Sequence, residues 1–202
     1  MTYPIGPSRR SFLKTTAATA AVVGLGTNFA FAQGSSKIRV GLIGCGGRGT
    51  GAAQDCIGSN DDIALVAMGD VFADHMTSAR GKLKEALGEK YAVKDDNAFV
   101  GFDAYQKVIA SDVDLVILAT PPGFRPLHIA AAVDAGKHVF AEKPVATDAA
   151  GVRSVLESAK KISDKKLAFV CGTQRRHQAE YLETMKRIHE GAIGDLMTLF
   201  EF

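Results

Sequence analysis

The chain has 202 residues, 47% hydrophobic and 23% charged, with a formal net charge of +2, the balance of an ordinary globular protein. No basic patch with interleaved aromatics is present, so no nucleic-acid role is expected. Three cysteines permit at most one internal disulfide, and their spacing fits no zinc site, so no metal is expected.

The first 32 residues stand apart from the rest. Ser8-Arg9-Arg10-Ser11-Phe12-Leu13-Lys14 is a twin-arginine pattern, the kind that marks bacterial export of folded proteins. A modestly apolar segment, Ala17 to Phe31, follows; it is too short and too broken to read as a membrane span. Ala30-Phe31-Ala32 fits the small-x-small cleavage rule, so cutting after Ala32 is expected, with an uncleaved N-terminal anchor as the alternative. Residues 1–32 carry Arg9, Arg10 and Lys14 and no acid, so their removal takes the formal charge from +2 to −1. The expected location is the periplasm or another exported site, reached through the export machinery.

From residue 37 to 177 strands and helices alternate. Ile38–Ile43 is predicted as a strand and feeds Gly44-Cys45-Gly46-Gly47-Arg48-Gly49, after which a helix is predicted over Gly49–Cys56. A strand, a G-x-G-x-x-G turn and a helix start are the sequence form of a dinucleotide pyrophosphate site. Gly44 permits the tight turn, Gly46 lets the backbone approach phosphates, and Gly49 lets the helix pack closely. The free N–H groups and the dipole of the helix's first turn favour an anion. Gly47 and Arg48 complete the turn; Arg48 either touches a phosphate or is solvated. The next strand, Ile63–Met68, leads to Asp70, about 20 residues on. A carboxylate there can accept from ribose hydroxyls and repels a 2′-phosphate, which favours NAD over NADP; a solvated loop acid is the alternative.

Farther along, helices are predicted over Ala73–Leu87, Asp103–Ala110, Leu127–Ala135, Ala149–Ile162 and Ala179–Glu190. The strands between them are a short Val100–Phe102, then Val113–Ala119, His138–Ala141, Leu167–Cys171 and a last one at Leu196–Phe202. Such βα alternation calls for a doubly wound parallel sheet of the Rossmann type. Right-handed crossovers place every strand's C-terminal end on one edge, where ligands bind. The Gly44–Gly49 turn, Asp70, Thr120-Pro121-Pro122, Glu142-Lys143-Pro144 and Gly172 to His177 all fall on that edge.

Val40 to Gly49, Ala119-Thr120-Pro121-Pro122 with His128 soon after, and Gly136 to Val145 with its Glu142-Lys143-Pro144 resemble the N-terminal domain of the Gfo/Idh/MocA oxidoreductases. The resemblance runs from about residue 37 to residue 202. It implies that Lys143 is the active-site lysine, donating to a sugar hydroxyl and stabilising charge on oxygen as hydride leaves carbon. Pro144 would hold Lys143 in place and Glu142 would orient it. Thr120, Pro121 and Pro122 would line the nicotinamide side. His128 is a cofactor contact or a structural hydrogen-bonding histidine. Arg175, Arg176 and His177 reach substrate or cofactor, or form a surface basic cluster.

Members of this family usually continue into a second domain that closes over the nicotinamide. Residues 178–202 resemble only a linking helix and the first strand of such a domain, so the sequence is expected to be incomplete; a short protein pairing that strand with another chain is the alternative. The complete protein is expected to be a homo-oligomer. Export of a folded protein fits a tightly bound NAD or NADP that is reset within the site. The resulting expectation is an NAD(P)-dependent oxidoreductase acting on a sugar, polyol or related carbohydrate. A redox-neutral NAD-dependent glycosidase, and a catalytically incomplete nucleotide-binding fragment, are the alternatives.

Overall fold

A computed structural model describes residues 37–198. Six strands form one parallel sheet: β1 (Ile38–Ile43), β2 (Ile63–Asp70), β3 (Ala98–Val100), β4 (Leu115–Leu118), β5 (His138–Glu142) and β6 (Phe169–Gly172). Their spatial order is β3-β2-β1-β4-β5-β6. Among the described residues the α-helices are α1 (Gly47–Gly58), α2 (Ala73–Leu87), α3 (Ala104–Ala110), α4 (Arg125–Asp134), α5 (Ala149–Asp164) and α6 (Ala179–His189). This is the doubly wound Rossmann arrangement that the alternating pattern predicts. Its topological switch lies between β1 and β4, where the order reverses and a crevice opens.

The central strands are buried on both faces, which is why they read as continuous apolar runs. Val40 and Leu42 of β1 pack with Ala53 and Ile57 of α1 and Met76, Ala79 and Leu83 of α2. Ile43, Val116 and Leu118 face the other way, against Val108 of α3 and Ile129, Ala132 and Val133 of α4. Full burial of each such aliphatic side chain contributes about 1.5–3 kcal/mol. The start of β1 is tied to the start of β4 by Asp114, whose carboxylate accepts from the Arg39 backbone N–H at 2.9 Å and the Arg39 guanidinium at 2.7 Å.

Element boundaries differ from expectation in instructive ways. Helix α1 starts two residues early, at Gly47, because Gly46 itself takes the extended N-cap conformation, with φ −67° and ψ −179°. The third strand is Ala98–Val100 rather than Val100–Phe102, because Gly101 turns the chain with φ +126°. Leu196–Thr198 pairs with no strand among the described residues. The rest of that predicted strand, like the twin-arginine segment, lies outside the described residues. Helix α6 forms as expected but has no buried residue; Leu182 is 55% exposed.

Candidate active site

The glycine loop leaves β1 on hydrogen bonds to its neighbouring strands. Gly44 has φ +96°, a conformation that side chains rarely adopt, and its N–H donates to the Gly69 carbonyl at 2.8 Å. A Cβ at Gly49 would stand 1.8 Å from the Gly44 carbonyl oxygen, so only glycine lets α1 start this close to the strand end. Around Gly46 and Gly47 the picture reverses: a Cβ at either would meet no atom within 4 Å. The first turn of α1 carries no acid and no side-chain cap, so its leading N–H groups stay available to an anion.

Asp70, at the end of β2, secures this loop. Its side chain is 8% exposed. One carboxylate oxygen accepts from the Cys45 N–H at 2.6 Å, the other from the Phe72 N–H at 2.9 Å. A carboxylate has lone pairs for further donors, so these bonds leave capacity for a hydroxyl. Cys45 is 3% exposed, and burial, reinforced by Asp70, pushes its thiol up to about 12. It is an inert packing group. The three cysteines are free.

Beyond β4, Thr120 is held at two atoms. Its hydroxyl shares a hydrogen bond with His128 Nδ1 at 3.1 Å, and its carbonyl accepts from Arg125. His128 is 6% exposed and stacks on Tyr105 with ring centroids 4.2 Å apart. Burial first, and the Arg125 charge second, push its pKa down to about 4, so the ring is neutral. Of the two roles open to His128 in the sequence, this geometry supports the structural one. Pro121 is exposed and Pro122 half-buried at the rim.

At the end of β5, Glu142 is 4% exposed and Lys143 is exposed. The Lys143–Pro144 peptide is cis. Glu142 does not bond Lys143. Its Oε1 accepts from Arg48 Nε at 2.8 Å and lies 2.6 Å from a second guanidinium nitrogen, so Arg48 reaches from the glycine loop to the lysine loop. The Glu142 carboxylate fills the space beside Gly172 of β6, where a Cβ would come within 2.7 Å of it. Arg48 is thus bonded to Glu142, with its side chain still 46% exposed at the mouth of the glycine loop.

Arg125, which sequence reasoning missed, opens α4 and is 3% exposed. One guanidinium nitrogen donates to the Thr120 carbonyl and another to the Pro144 carbonyl. A signal was available: a cation in a helix's first turn opposes the macrodipole and needs a reason. Past β6, Gln174–Arg176 form a short 3-10 turn. Arg175 lies over the Tyr181 ring at 5.5 Å, and Arg175, Arg176 and His177 are exposed. The edge thus gathers an anion-ready helix start, an acid at the next strand and a lysine loop clamped by two arginines.

Residues 38–170 match the oxidoreductase family with an NAD-binding Rossmann fold, and residues 6–26 match the twin-arginine translocation signal sequence. The signal match indicates export. An inositol 2-dehydrogenase of Rhizobium meliloti is 31% identical over 159 residues, covering 79% of this chain and 43% of that protein. A glycosyl hydrolase family 109 protein of Solibacter usitatus is 32% identical over 155 residues, covering 69% of this chain and 33% of that one. Among solved structures, scyllo-inositol dehydrogenase from Lactobacillus casei, with bound NAD(H) and scyllo-inositol, superposes with a TM-score of 0.61 at 27% identity, covering 79% of this chain and 43% of that one. The chain spans less than half the length of these relatives. With its Rossmann topology and a family match over most of its length, it belongs to the Gfo/Idh/MocA family of NAD-binding oxidoreductases.

Proposed function

We propose that this chain is the cofactor-binding part of an exported enzyme that moves a hydride between a tightly held NAD and a hydroxyl-bearing carbon of a cyclitol, sugar or related polyol. The observation that carries it is one sheet edge with two complementary halves. On one half, Gly46 and Gly47 have open space where side chains would stand, over uncapped N–H groups of α1. On the other, exposed Lys143 follows a strand end whose Glu142 is bonded to that same glycine loop. The pyrophosphate fits the first half, held by the α1 N–H groups. Asp70 would take the adenosine ribose, and its charge disfavours a 2′-phosphate, hence NAD over NADP.

The nicotinamide supplies the hydride acceptor when bound. Thr120, Pro121 and Pro122 would form the wall beside it. As the reacting hydroxyl gives up its proton to water and its carbon gives up hydride to the nicotinamide, the Lys143 ammonium would hydrogen-bond the oxygen and stabilise its alkoxide character. Arg175, Arg176 and His177, at the end of β6, are the proposed substrate contacts. The twin-arginine match supports the periplasm as the working place, since that route carries folded proteins with their cofactors.

The test uses the full-length enzyme with NAD and myo-inositol. Oxidation with NADH formation is expected, and Lys143→Ala should lower kcat on the order of a hundredfold with NADH affinity nearly intact. Turnover that survives in Lys143→Ala removes the lysine from the chemistry. Nucleotide released on denaturing the purified protein would establish tight retention. The glycosyl hydrolase relative supports a second reading, in which the hydride returns to the same sugar and a glycoside is cleaved. Hydrolysis of an aryl glycoside without net NADH would favour it.

A further inference from the structure

We propose that Arg125 is a positioning residue: from the start of α4 it ties the wall beside the nicotinamide to the Lys143 loop, and so sets where the lysine ammonium stands. The inference rests on the proposed role of Lys143.

The arrangement is a costly one, and that is the reason to assign it a task. Arg125 is 3% exposed, and among the described residues no carboxylate bonds it. The Glu142 carboxylate acts on it only through space and is itself bonded to Arg48. Burial pulls the guanidinium below its usual range. Its Nε has no acceptor among the described residues. A buried donor left unmade costs about 1–3 kcal/mol, and a well-packed apolar side chain at such a site is commonly neutral or better for stability. Stability alone therefore does not account for it.

What an apolar side chain cannot do is hold two loops at once. The planar fork presents separate nitrogens, one to the Thr120 carbonyl and the other to the Pro144 carbonyl. Thr120 is the second residue past β4, and Pro144 directly follows Lys143. A lysine at this position would carry the charge but only one ammonium, with no fixed fork. Hydride transfer is sensitive to such geometry: a misplacement of about 1 Å can cost on the order of a hundredfold in rate.

The experiment uses the full-length enzyme as wild type, Arg125→Met, Arg125→Lys and the double variant Arg125→Met/Lys143→Ala. NADH titration comes first. Wild type that neither carries nucleotide as purified nor binds added NADH would overturn the proposed function. Amide hydrogen exchange then judges Arg125 without any substrate. In Arg125→Met, exchange over residues 119–124 and 142–148 should rise together, on the order of tenfold, with residues 38–58 unchanged. Unchanged exchange at 142–148, or a uniform rise across the sheet, overturns the proposal. With myo-inositol as probe, Arg125→Met should lower kcat on the order of a hundredfold with KM and NADH affinity within a few-fold, and Arg125→Lys should not restore it. In the Lys143→Ala background the same change should cost little more; full additivity would show that Arg125 does not act through the lysine.

Discussion

The glycine loop after β1 and the lysine loop after β5 lie on one sheet edge but are held by different physics. Backbone geometry dominates the first: Gly44 at φ +96° and the close approach of Gly49 to the Gly44 carbonyl, with one side chain, Asp70, accepting the Cys45 N–H from only 25 residues away. Side chains hold the second: Arg48 of α1 grips Glu142 across 94 residues, Arg125 of α4 grips the Pro144 carbonyl, and Gly172 of β6 leaves room for the Glu142 carboxylate. A loop built from backbone is rigid by sterics and ready for a constant ligand, the diphosphate. A loop built from side chains depends on partners from several elements, and each of them is a point where the reacting geometry can be adjusted.

The largest effect expected separates two glycines of the same loop. Gly49→Val places carbon against the Gly44 carbonyl, where a Cβ would already stand at 1.8 Å, and the backbone must move. A loss of more than about 3 kcal/mol in urea unfolding is expected. A Cβ at Gly46 would meet no atom within 4 Å, and its φ of −67° suits any residue, so Gly46→Val should unfold nearly like wild type. Its NADH affinity should nevertheless fall on the order of a hundredfold, about 2.7 kcal/mol, because the side chain occupies space the phosphates need. A Gly46→Val protein that binds NADH normally would take the diphosphate away from this loop.

A smaller effect concerns the support of the second region. His128 titrates near 6.5 when unfolded but about 4 when folded, so the unfolded chain binds the extra proton between these values. Its contribution to stability is complete above pH 6.5 and lost as pH falls toward 4. At pH 5 the loss should be about 2 kcal/mol. His128→Gln should abolish this slope. Asp114 does not confuse the measurement, because Arg39 holds its carboxyl below the ordinary value of 3.8 and its loss comes at lower pH. Equal urea midpoints shifts for wild type and His128→Gln between pH 7 and pH 5 would assign the slope to another group.

The same contrast explains what could be read from the sequence. The glycine loop was legible because its requirements are local: a strand, three glycines and an acid at the next strand end each carry their own steric or electrostatic reason. The central strands were legible because burial on both faces makes Val116, Ile117 and Leu118 an unbroken apolar run. Element ends were less so, because Gly46 as N-cap and Gly101 as a turn depend on φ and ψ that glycine leaves free. The partner of Glu142 was not legible. The Glu142-Lys143-Pro144 run invites the adjacent lysine, whereas the pair is made with Arg48, which the fold brings across from the end of β1. Arg125 looks like an ordinary surface cation until the loops on both sides of α4 close over it.

The smallest single loss, expected at Glu142, belongs to the sharpest test of how the two loops communicate. Glu142 is 4% exposed, whereas the Arg48 side chain is 46% exposed, so the pair is lopsided. Arg48→Met leaves a buried carboxylate without its bonded donor and should cost about 1–3 kcal/mol. Glu142→Gln keeps the shape but weakens the acceptor, and about 1 kcal/mol is expected. Removing both charges together leaves nothing uncompensated, so the double variant should lie closer to wild type than Arg48→Met alone. If the two single losses simply add, the contact is a surface pairing of little consequence, and the lysine loop is held from the Arg125 side alone. A coupling of 0.5 kcal/mol or more, on the scale of about 0.5–3 kcal/mol found for contacting residues, would mean that the backbone-built loop lends its rigidity to the side-chain-built one through this single carboxylate.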